Sequence, residues 1–289
     1  MERVLRIIKK IIPRPVFNFF QPAYHLTLAY LGALIYGFPS QKLIVIGVTG
    51  TKGKTTTCNL IAQILNSSGY KTGMATTVNF RIGDKEWINT SKQTMLGRFQ
   101  LQKLISEMVK NGCKYAVIET SSEGILQYRH RFIDYDMAVF TNLSAEHIER
   151  HGSFENYRSA KLKLFEQVAK KTNGIGIYNL DDENVGYFLK PKITRQYVYT
   201  LKLKRPIATI QNLHQISKVK STTQGTSFLF DNEKYTMPLI GEFNVYNAAA
   251  AICVAISQGI PRKRIKKALE KAKPPAGRFE IIDLSLIHI

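Results

Sequence analysis

Short apolar runs alternate with longer amphipathic stretches from residue 41 of the chain onward. Apolar runs of about four to eight residues are typical of buried parallel strands. They predict strands at residues 43–48, 72–77, 115–119, 137–141 and 175–179. Apolar positions at helical spacing predict helices at residues 54–67, 98–111 and 155–170. Strands separated by helices indicate an α/β fold with a doubly wound, mostly parallel sheet.

The pattern changes between residues 196 and 240. Stretches such as Thr226–Phe230 and Tyr235–Ile240 alternate apolar with polar side chains, which is typical of strands with one solvated face. We therefore predict a small antiparallel β subdomain in this region. Helical spacing then returns in two segments that a Gly-Ile-Pro break separates, at residues 245–258 and 261–273.

The segment Gly47–Thr57, GVTGTKGKTTT, lies between the first predicted strand and the first predicted helix. A common phosphate-binding loop has glycine six residues before its lysine, where this chain has Val48. Backbone N–H groups at a helix N-terminus still favour an anion, Lys54 would reach the β- and γ-phosphates, and Thr55 would place its hydroxyl on Mg²⁺. A structural turn is the alternative, but it does not require three threonines, which are mediocre helix formers. We predict a nucleotide site.

Two later segments carry further candidate groups. Tyr115–Glu119 is a predicted strand that ends in a carboxylate, at the edge of the sheet where ligands bind, and is well placed to hold Mg²⁺. His147 and His151 are four residues apart, which suggests zinc, but the helical zinc pattern needs glutamate directly after the first histidine and this chain has Ile148. On local sequence alone, we interpret both histidines as hydrogen-bonding groups.

The first 40 residues combine a basic cluster with an apolar segment. Residues 16–38 contain no Asp, Glu, Lys or Arg, and a stretch of 23 residues is long enough to cross a bilayer, which needs roughly 20. A single crossing with the basic cluster inside would export the nucleotide site away from ATP. We therefore favour a helix that lies in the membrane interface, or packs on the domain, over a true span. A secretory signal is not favoured, because no small-residue cleavage site stands out after the apolar segment. The basic cluster comprises Arg3, Arg6, Lys9, Lys10 and Arg14.

Charge and cysteine content limit the binding partners and the cellular compartment that we expect. The formal net charge is +20, and a second basic cluster lies between residues 262 and 273. No nucleic-acid-binding motif accompanies this charge, so we expect no nucleic acid partner and attribute it to anionic lipid or a nucleotide-linked substrate. The three cysteines show no paired spacing, which argues against a disulfide framework or a zinc site and favours the reducing cytoplasm.

Six segments occur in an order that is similar to one known family. They are GVTGTKGKTTT, IETSSEGILQYRH, TNLSAEHIERHGSFENYRSAKLKLF, YNLDDE, GEFNVYNAAAA and PPAGRFE. Together they resemble the Mur ligase family, specifically its UDP-N-acetylmuramoyl-dipeptide ligases of the MurE type, over roughly residues 43–282. The loop of that family carries its first glycine one position early, as this chain does at Gly47.

The resemblance implies an ATP-dependent ligase of peptidoglycan precursor synthesis that uses ATP and Mg²⁺. Such enzymes phosphorylate the terminal carboxylate of a UDP-linked muramoyl peptide, and the amine of a free amino acid then attacks the acyl phosphate. The physical demands are to hold the γ-phosphate, to neutralise its charge and to align two anions that repel each other.

The resemblance also implies residue roles. Catalytic roles are implied for Lys54, Asn142, His147 and Lys161. Metal binding is implied for Thr55, Glu119, His147 and Lys161, the last as a lysine that carries CO₂ as a carbamate, in contrast to Lys163. Substrate contacts are implied for Ser121, Gln127 and Arg129. Nucleotide contacts are implied for Gly50, Thr51, Gly53, Lys54, Thr55, Thr56, Asp182 with its neighbour Asp181, Asn244, Asn247 and Arg278.

The chain also departs from the family. We predict a basic and apolar helical segment at residues 1–40, the central ATP-binding domain at 41–282, and the truncated start of a missing C-terminal domain at 283–289. Without the usual N-terminal domain, the grip on the UDP sugar is in doubt and a lipid-linked substrate is conceivable. Lys52 replaces an asparagine, Leu96 a proline and Glu123 a histidine of the family.

Two other functions stay open at this point. One is an amidating or polymer-forming Mur-like ligase that acts on a lipid-linked substrate. The other is a membrane-tethered nucleotide-binding module without ligase activity. Acceptor-dependent phosphate release would separate the ligases from the module, which would bind ATP without turnover.

Overall fold

The computed structural model describes residues 14–91, 93–146, 148–202, 212–275 and 277. The strands are β1 Ile44–Thr49, β2 Thr72–Ala75, β3 Asn79–Ile82, β4 Lys85–Ile88, β5 Tyr115–Glu119, β6 Tyr135–Phe140, β7 Ile175–Asn179, β8 Arg195–Thr200, β9 Asn212–Thr222, β10 Gly225–Phe230 and β11 Glu233–Met237. The helices are α1 Arg14–Ile35, α2 Lys54–Ser67, α3 Arg98–Lys110, α4 Ser122–Leu126, α5 Ile148–His151, α6 Phe154–Val168, α7 Val185–Phe188, α8 Glu242–Ser257 and α9 Arg262–Glu270. A short 3-10 helix, Pro39–Lys42, follows α1.

The described strands form one sheet in the order β11-β10-β9-β8-β7-β6-β1-β5-β2-β3-β4. The run from β9 to β2 is parallel, and antiparallel strands extend it at both edges. This arrangement confirms the predicted fold class. The strands predicted between residues 196 and 240 are present as β8 to β11. They continue the main sheet, because β8 pairs in parallel with β7 and β9 in parallel with β8, and of these four only β10 and β11 are antiparallel.

The edge hairpin of β3 and β4 has no counterpart among the predicted elements. Each strand has only four residues, which is too short for an alternating pattern to stand out. Gly83 turns between them with φ of 62°, a left-handed conformation that suits glycine. Its backbone N–H also donates to the Thr72 carbonyl of the neighbouring strand β2. The hairpin therefore depends on a contact with another strand as well as on its own residues.

Helices cover both faces of the sheet. One apolar core joins α2, α8 and α9 to one face, and the other joins α3 and α6 to the opposite face. Four consecutive alanines of α8, Ala248–Ala251, are fully buried. Because alanine side chains are small, α8 can pack closely on α2 and on the sheet at the same time.

Helix α1 packs on α3 at the edge of this three-layer arrangement. Ala29 and Ala33 are buried on the side that faces the protein, whereas Phe20, Leu34 and Ile35 are 61%, 50% and 65% exposed. Within the described part of the chain, no helix combines the length and apolarity needed to cross a membrane. The three cysteines are buried and free.

Candidate active site

The candidate site lies at the carboxyl ends of the central strands. Strand β1 is flanked by β5 on one side and β6 on the other, so the connections that follow it run in opposite directions across the sheet. Ligands of open α/β sheets bind in the crevice at such a switch point. The phosphate loop at residues 50–53 follows β1, Glu119 ends β5, and Thr141 and Asn142 follow β6. The predicted site groups of three segments therefore converge here.

Glycines of the loop are required by close contacts. Gly53 has φ of 79°, and a Cβ atom at this position would lie 2.2 Å from Oδ1 of Asn247 on α8. A Cβ on Gly50 would lie 2.0 Å from Oγ1 of Thr141. The early glycine, Gly47, lies inside β1, where a Cβ would meet a Leu164 methyl at 2.8 Å. Gly47 therefore serves the packing of α6 on the sheet, and the absence of glycine at residue 48 leaves the loop itself intact.

Asn142 holds the shape of the loop. Its Oδ1 accepts from the Lys52 backbone N–H at 2.9 Å, and its Nδ2 donates to the Lys52 carbonyl at 3.0 Å. Its own carbonyl accepts from the Thr51 N–H at 2.8 Å. These bonds join residues about 90 positions apart, so local sequence could not indicate that Asn142 holds the loop.

Side-chain oxygen atoms that could bind a metal ion lie close together at the start of α2. The Thr55 hydroxyl donates to Oε2 of Glu119 at 3.0 Å, and Glu119 also accepts from the backbone N–H and the hydroxyl of Thr77 at 2.9 and 3.1 Å. Glu119 is only 2% exposed. Nζ of Lys54 donates to the carbonyls of Gly50 and Thr51 at 3.1 and 2.7 Å. The predicted phosphate-binding lysine and two predicted metal ligands thus share one small region.

Lys161 lies beneath the loop and is 2% exposed. Its Nζ donates to the Gly50 carbonyl at 2.6 Å and lies 4.4 Å from the centre of the Tyr157 ring. Burial lowers the pKa of Lys161 well below its ordinary value, and the charge of Lys54 lowers it further, while Glu119 and Glu146 oppose the shift. A buried lysine of this kind favours the neutral amine.

Two clefts open from this region. The first, which we call the α8 cleft, has a volume of about 660 Å³ and lies between the phosphate loop and α8. The second, the α4 cleft, has a volume of about 380 Å³ and extends from the loop to α4 and α6. Both are lined by Thr51 and Lys54, so the two clefts meet at the phosphate loop.

The α8 cleft contains two aromatic residues that the sequence interpretation missed. Phe243 and Tyr246 line it together with Asn247, and the Tyr246 hydroxyl donates to Oδ2 of Asp181 at 3.0 Å. Asn244 is buried one turn before Asn247 and accepts a hydrogen bond from its amide at 3.1 Å. An aromatic residue beside each asparagine in the GEFNVYN segment was the available signal.

Asn179 at the end of β7 and Asp182 shortly after it form hydrogen bonds with the segment that follows β6. The Asp182 carboxylate accepts from the backbone N–H groups of Leu143 and Asn184 at 2.7 and 2.8 Å. Asn179, which lines the α8 cleft, donates to the Thr141 carbonyl at 2.8 Å. The structure therefore places Asp182 where it orders the loop after β6.

The predicted substrate residues flank the two ends of α4. Ser121 caps this helix by accepting from the Gly124 N–H at 3.1 Å, and Oε1 of Gln127 accepts from Arg129 at 2.7 and 3.0 Å. Arg129 also donates to Gln93 at 3.0 Å. Ser121 and Arg129 line the α4 cleft. Glu123 pairs with Arg150, which gives a physical partner to the residue that departs from the family pattern.

Two predicted site residues, His147 and Arg278, lie outside the described residues. Among the described residues, no group of three or more His, Cys, Asp or Glu side chains is arranged to hold a metal ion. The ring of His151 contacts the edge of the Tyr157 ring, with the ring centres 5.0 Å apart.

Comparison with known proteins identifies the family. The description "Mur ligase middle domain" matches residues 48–255, which is well over half of the chain. The chain belongs to the Mur ligase family. The UDP-N-acetylmuramyl-tripeptide synthetase of Roseiflexus sp. is 35% identical over 283 residues, which cover 91% of this chain and 53% of the relative. A UDP-N-acetylmuramoyl-L-alanyl-D-glutamate–2,6-diaminopimelate ligase of Clostridium botulinum is 36% identical over 88% of this chain and 51% of its own length.

Solved structures agree with this assignment. This Mur ligase chain is similar to a UDP-N-acetylmuramoyl-L-alanyl-D-glutamate–2,6-diaminopimelate ligase with a TM-score of 0.73 and 29% identity, covering 83% of this chain and 48% of that one. The structure of MurF from Acinetobacter baumannii has a TM-score of 0.69 at 22% identity. The match covers 91% of this chain and 53% of the MurF chain and shows a shared fold. The Mur ligase chain thus spans about half the length of the curated relatives it matches.

Proposed function

We propose that this Mur ligase chain is the ATP-using part of a ligase that extends a UDP-linked muramoyl peptide by one amino acid. One observation carries the proposal: the α8 cleft and the α4 cleft meet at Thr51 and Lys54, directly above the buried Lys161. A nucleotide in the first cleft and a peptide carboxylate in the second would bring their reacting ends together at the loop. Positioning of this kind supplies much of the rate acceleration of a two-substrate reaction.

ATP fits the α8 cleft by its chemistry. Backbone N–H groups at the start of α2 face the phosphates, and Lys54 neutralises their charge. Phe243 and Tyr246 offer aromatic surfaces for the base, beside the amide of Asn247. The Thr55 hydroxyl and the Glu119 carboxylate are oxygen donors of the type that Mg²⁺ prefers. When bound there, Mg²⁺ would offset the charge of the phosphates.

The reaction that we propose has two steps. An oxygen of the acceptor carboxylate attacks the γ-phosphorus of ATP, the bond to the bridging oxygen breaks, and ADP leaves with that electron pair. The amino acid nitrogen then attacks the acyl carbon of the resulting acyl phosphate, phosphate leaves, and the nitrogen loses a proton. Lys54 holds the transferred phosphoryl group between the two clefts, and Arg129 provides a positive partner for a carboxylate in the α4 cleft.

Lys161 is proposed to carry a carbamate formed with CO₂. Carbamate formation needs a neutral amine, and burial favours that form of Lys161. The modification releases a proton and would add an anionic oxygen ligand near Glu119, where it would suit Mg²⁺. The loop carbonyl that Lys161 contacts, that of Gly50, fixes the position of the side chain below both clefts.

The test is acceptor-dependent turnover. The protein would be incubated with ATP, Mg²⁺, a mixture of amino acids and UDP-muramoyl-dipeptide, and phosphate release would be followed. The proposal expects release that requires both the peptide and an amino acid. ATP binding without acceptor-dependent turnover would instead support the non-catalytic nucleotide-binding module.

We also propose that the protein works in the cytoplasm as a peripheral membrane protein. Seven of the twelve large apolar side chains that the described residues expose lie on α1. No acidic residue occurs between Glu2 and Asp84, whereas the basic cluster of the first 14 residues directly precedes the exposed part of α1. An apolar helix face beside basic residues is typical of a helix in the interface of an anionic bilayer.

A further inference from the structure

A third cleft lies next to the two that form the candidate active site. This α1 cleft has a volume of about 440 Å³ and lies between α1 and α4. Polar side chains from both helices and their surroundings line it, namely Gln21, His25, Glu123, Gln127, Tyr128 and Arg150. Neither the nucleotide nor the reacting carboxylate of the acceptor accounts for this cleft.

The three clefts form a row. The α8 and α4 clefts share Thr51 and Lys54, and the α4 and α1 clefts share Glu123 and Arg150. The phosphate loop therefore stands between the first two, and the Glu123–Arg150 ion pair stands between the last two. A ligand longer than the α4 cleft would pass from the loop, along α4, to this ion pair.

We infer that the α1 cleft binds the diphosphate-linked sugar at the remote end of the acceptor, an inference that rests on the proposed ligase function. An acceptor whose carboxylate reacts at Lys54 and whose peptide follows Ser121 and Arg129 has its other end at the Glu123–Arg150 pair. That end of a nucleotide-linked muramoyl peptide carries sugar hydroxyl, amide and diphosphate groups. The α1 cleft offers hydrogen-bonding groups to all three classes.

Arg150 is the group suited to the diphosphate. Its side chain is 67% exposed and that of Glu123 38% exposed, and an ion pair with this exposure to water is weak. A phosphate of the ligand can therefore replace the Glu123 carboxylate as the partner of Arg150 at little cost in free energy. An arginine offers five N–H donors that match phosphate oxygens in pairs.

Arg98 gives the α1 cleft a fixed wall. Its guanidinium donates to the Gln127 carbonyl at 2.6 and 3.0 Å and contacts Nδ1 of His25, so one side chain joins α1 to the end of α4. Gln21 lies one turn before His25, with its amide 3.3 Å from the ring. The sugar-binding groups are thus held by a contact between α1 and the rest of the protein.

Two acceptor types share the required diphosphate, since a muramoyl peptide can be carried by uridine diphosphate or by a polyprenyl diphosphate. The experiment compares turnover with both carriers and with the same muramoyl peptide without a carrier. Arg150→Ala should raise KM for the preferred carrier-linked acceptor about ten- to hundredfold, as expected for loss of a charged hydrogen bond. KM for ATP and for the carrier-free peptide should change less than about twofold.

Glu123→Gln should shift KM in the opposite direction. Loss of the competing carboxylate should lower KM for the carrier-linked acceptor by about two- to fivefold, the range of a weak surface ion pair. Arg195→Ala, an exposed arginine at the start of β8, is the matched control and should leave all three KM values unchanged. Turnover in which Arg150→Ala affects the carrier-linked and carrier-free acceptors equally would overturn the inference and leave the ligase function standing.

A titration keeps the inference testable if no turnover is found, which would count against the ligase function alone. The probe is UDP-N-acetylmuramic acid without peptide, titrated into the wild-type protein and Arg150→Ala by calorimetry. Binding to the wild-type protein that weakens at least about tenfold in the variant supports the α1 cleft as a diphosphate-sugar site. Equal binding to both proteins, or no binding to the wild-type protein, overturns it.

Discussion

Helices α8 and α1 are both rich in apolar residues, but they meet opposite surroundings. In α8, Ala248–Ala251 and Ile252 are fully buried between α2 and the sheet. In α1, small residues such as Ala29 and Ala33 face the protein, while Tyr30, Leu31 and Leu34 are 44%, 39% and 50% exposed. Small side chains thus lie at the packed side of each helix, and the large side chains of α1 face outward.

The difference shows that apolar content alone does not decide whether a helix is internal. A helix can be covered on two sides only when its side chains let both neighbours approach, and the alanines of α8 permit this. The outer face of α1 has no cover among the described residues, and a patch of this kind marks an interaction site. Substitutions around the phosphate loop and α8 should therefore affect turnover or folding, and those on the outer face of α1 should affect docking only.

The largest expected effect lies at the phosphate loop, on the internal side of this comparison. Lys54→Ala should reduce ATP turnover by about a thousandfold or more, because a cation that stabilises the transferred phosphoryl group is lost. Lys103→Ala is a matched control, since the Lys103 side chain is 63% exposed and pairs with Glu107 on the surface of α3. Circular dichroism should show both variants folded. Wild-type affinity for ATP in Lys54→Ala would contradict the assignment of the loop.

The second-largest effect is expected at the buried Lys161 of α6, and the exposed Lys163 on the same helix provides the comparison. Lys161→Ala should lower turnover about 100- to 1,000-fold, as for loss of a preorganised charged group. A small carboxylic acid in the buffer should restore part of the turnover by occupying the place of the proposed carbamate. Lys163 is exposed, and Lys163→Ala should stay near wild type. Equal tolerance of both substitutions would return Lys161 to a structural role.

A stability measurement compares α8 and α1 directly. Ile252→Ala should lower the free energy of unfolding by about 2–5 kcal/mol, because it leaves a cavity in a closed core. Leu34→Ala on the outer face of α1 should change it by no more than about 0.5 kcal/mol. Chemical denaturation of both variants provides the values. A similar loss for Leu34→Ala would mean that another part of the protein covers this face.

The last substitution tests the outer face of α1 itself. Serine at Leu31, Leu34 and Ile35 should weaken co-sedimentation with anionic liposomes about tenfold or more and leave phosphate release unchanged, because apolar area no longer enters the bilayer interface. Binding of the wild-type protein should weaken with salt, since basic residues contribute about 1 kcal/mol each near anionic lipid. Retention of the triple variant on liposomes would point to the basic residues of α9 instead. A concentration-dependent dimer of the wild-type protein would favour a second copy as the partner.

The amino-acid sequence by itself determined the elements and the type of site. Apolar periodicity indicated the central strands and the main helices, because burial on a sheet face or a helix face imposes a period that neighbouring residues must follow. The phosphate loop was also evident from local sequence, because Gly50, Gly53, Lys54 and Thr55 lie between a predicted strand and a predicted helix. Glu119 was predicted because it ends a strand.

Only the tertiary structure decided how distant segments complete the site. Asn142 clamps a loop 90 residues earlier in the chain, and Tyr246 reaches Asp181 across 65 residues. The ion pair between Glu123 and Arg150 also depends on tertiary packing, and this pair lies where the α4 cleft meets the α1 cleft. The outward face of α1 was equally undetermined, because its apolar residues would have suited a core as well as a surface. Contacts between distant residues leave no periodic pattern in a single sequence, since each depends on where the rest of the chain packs.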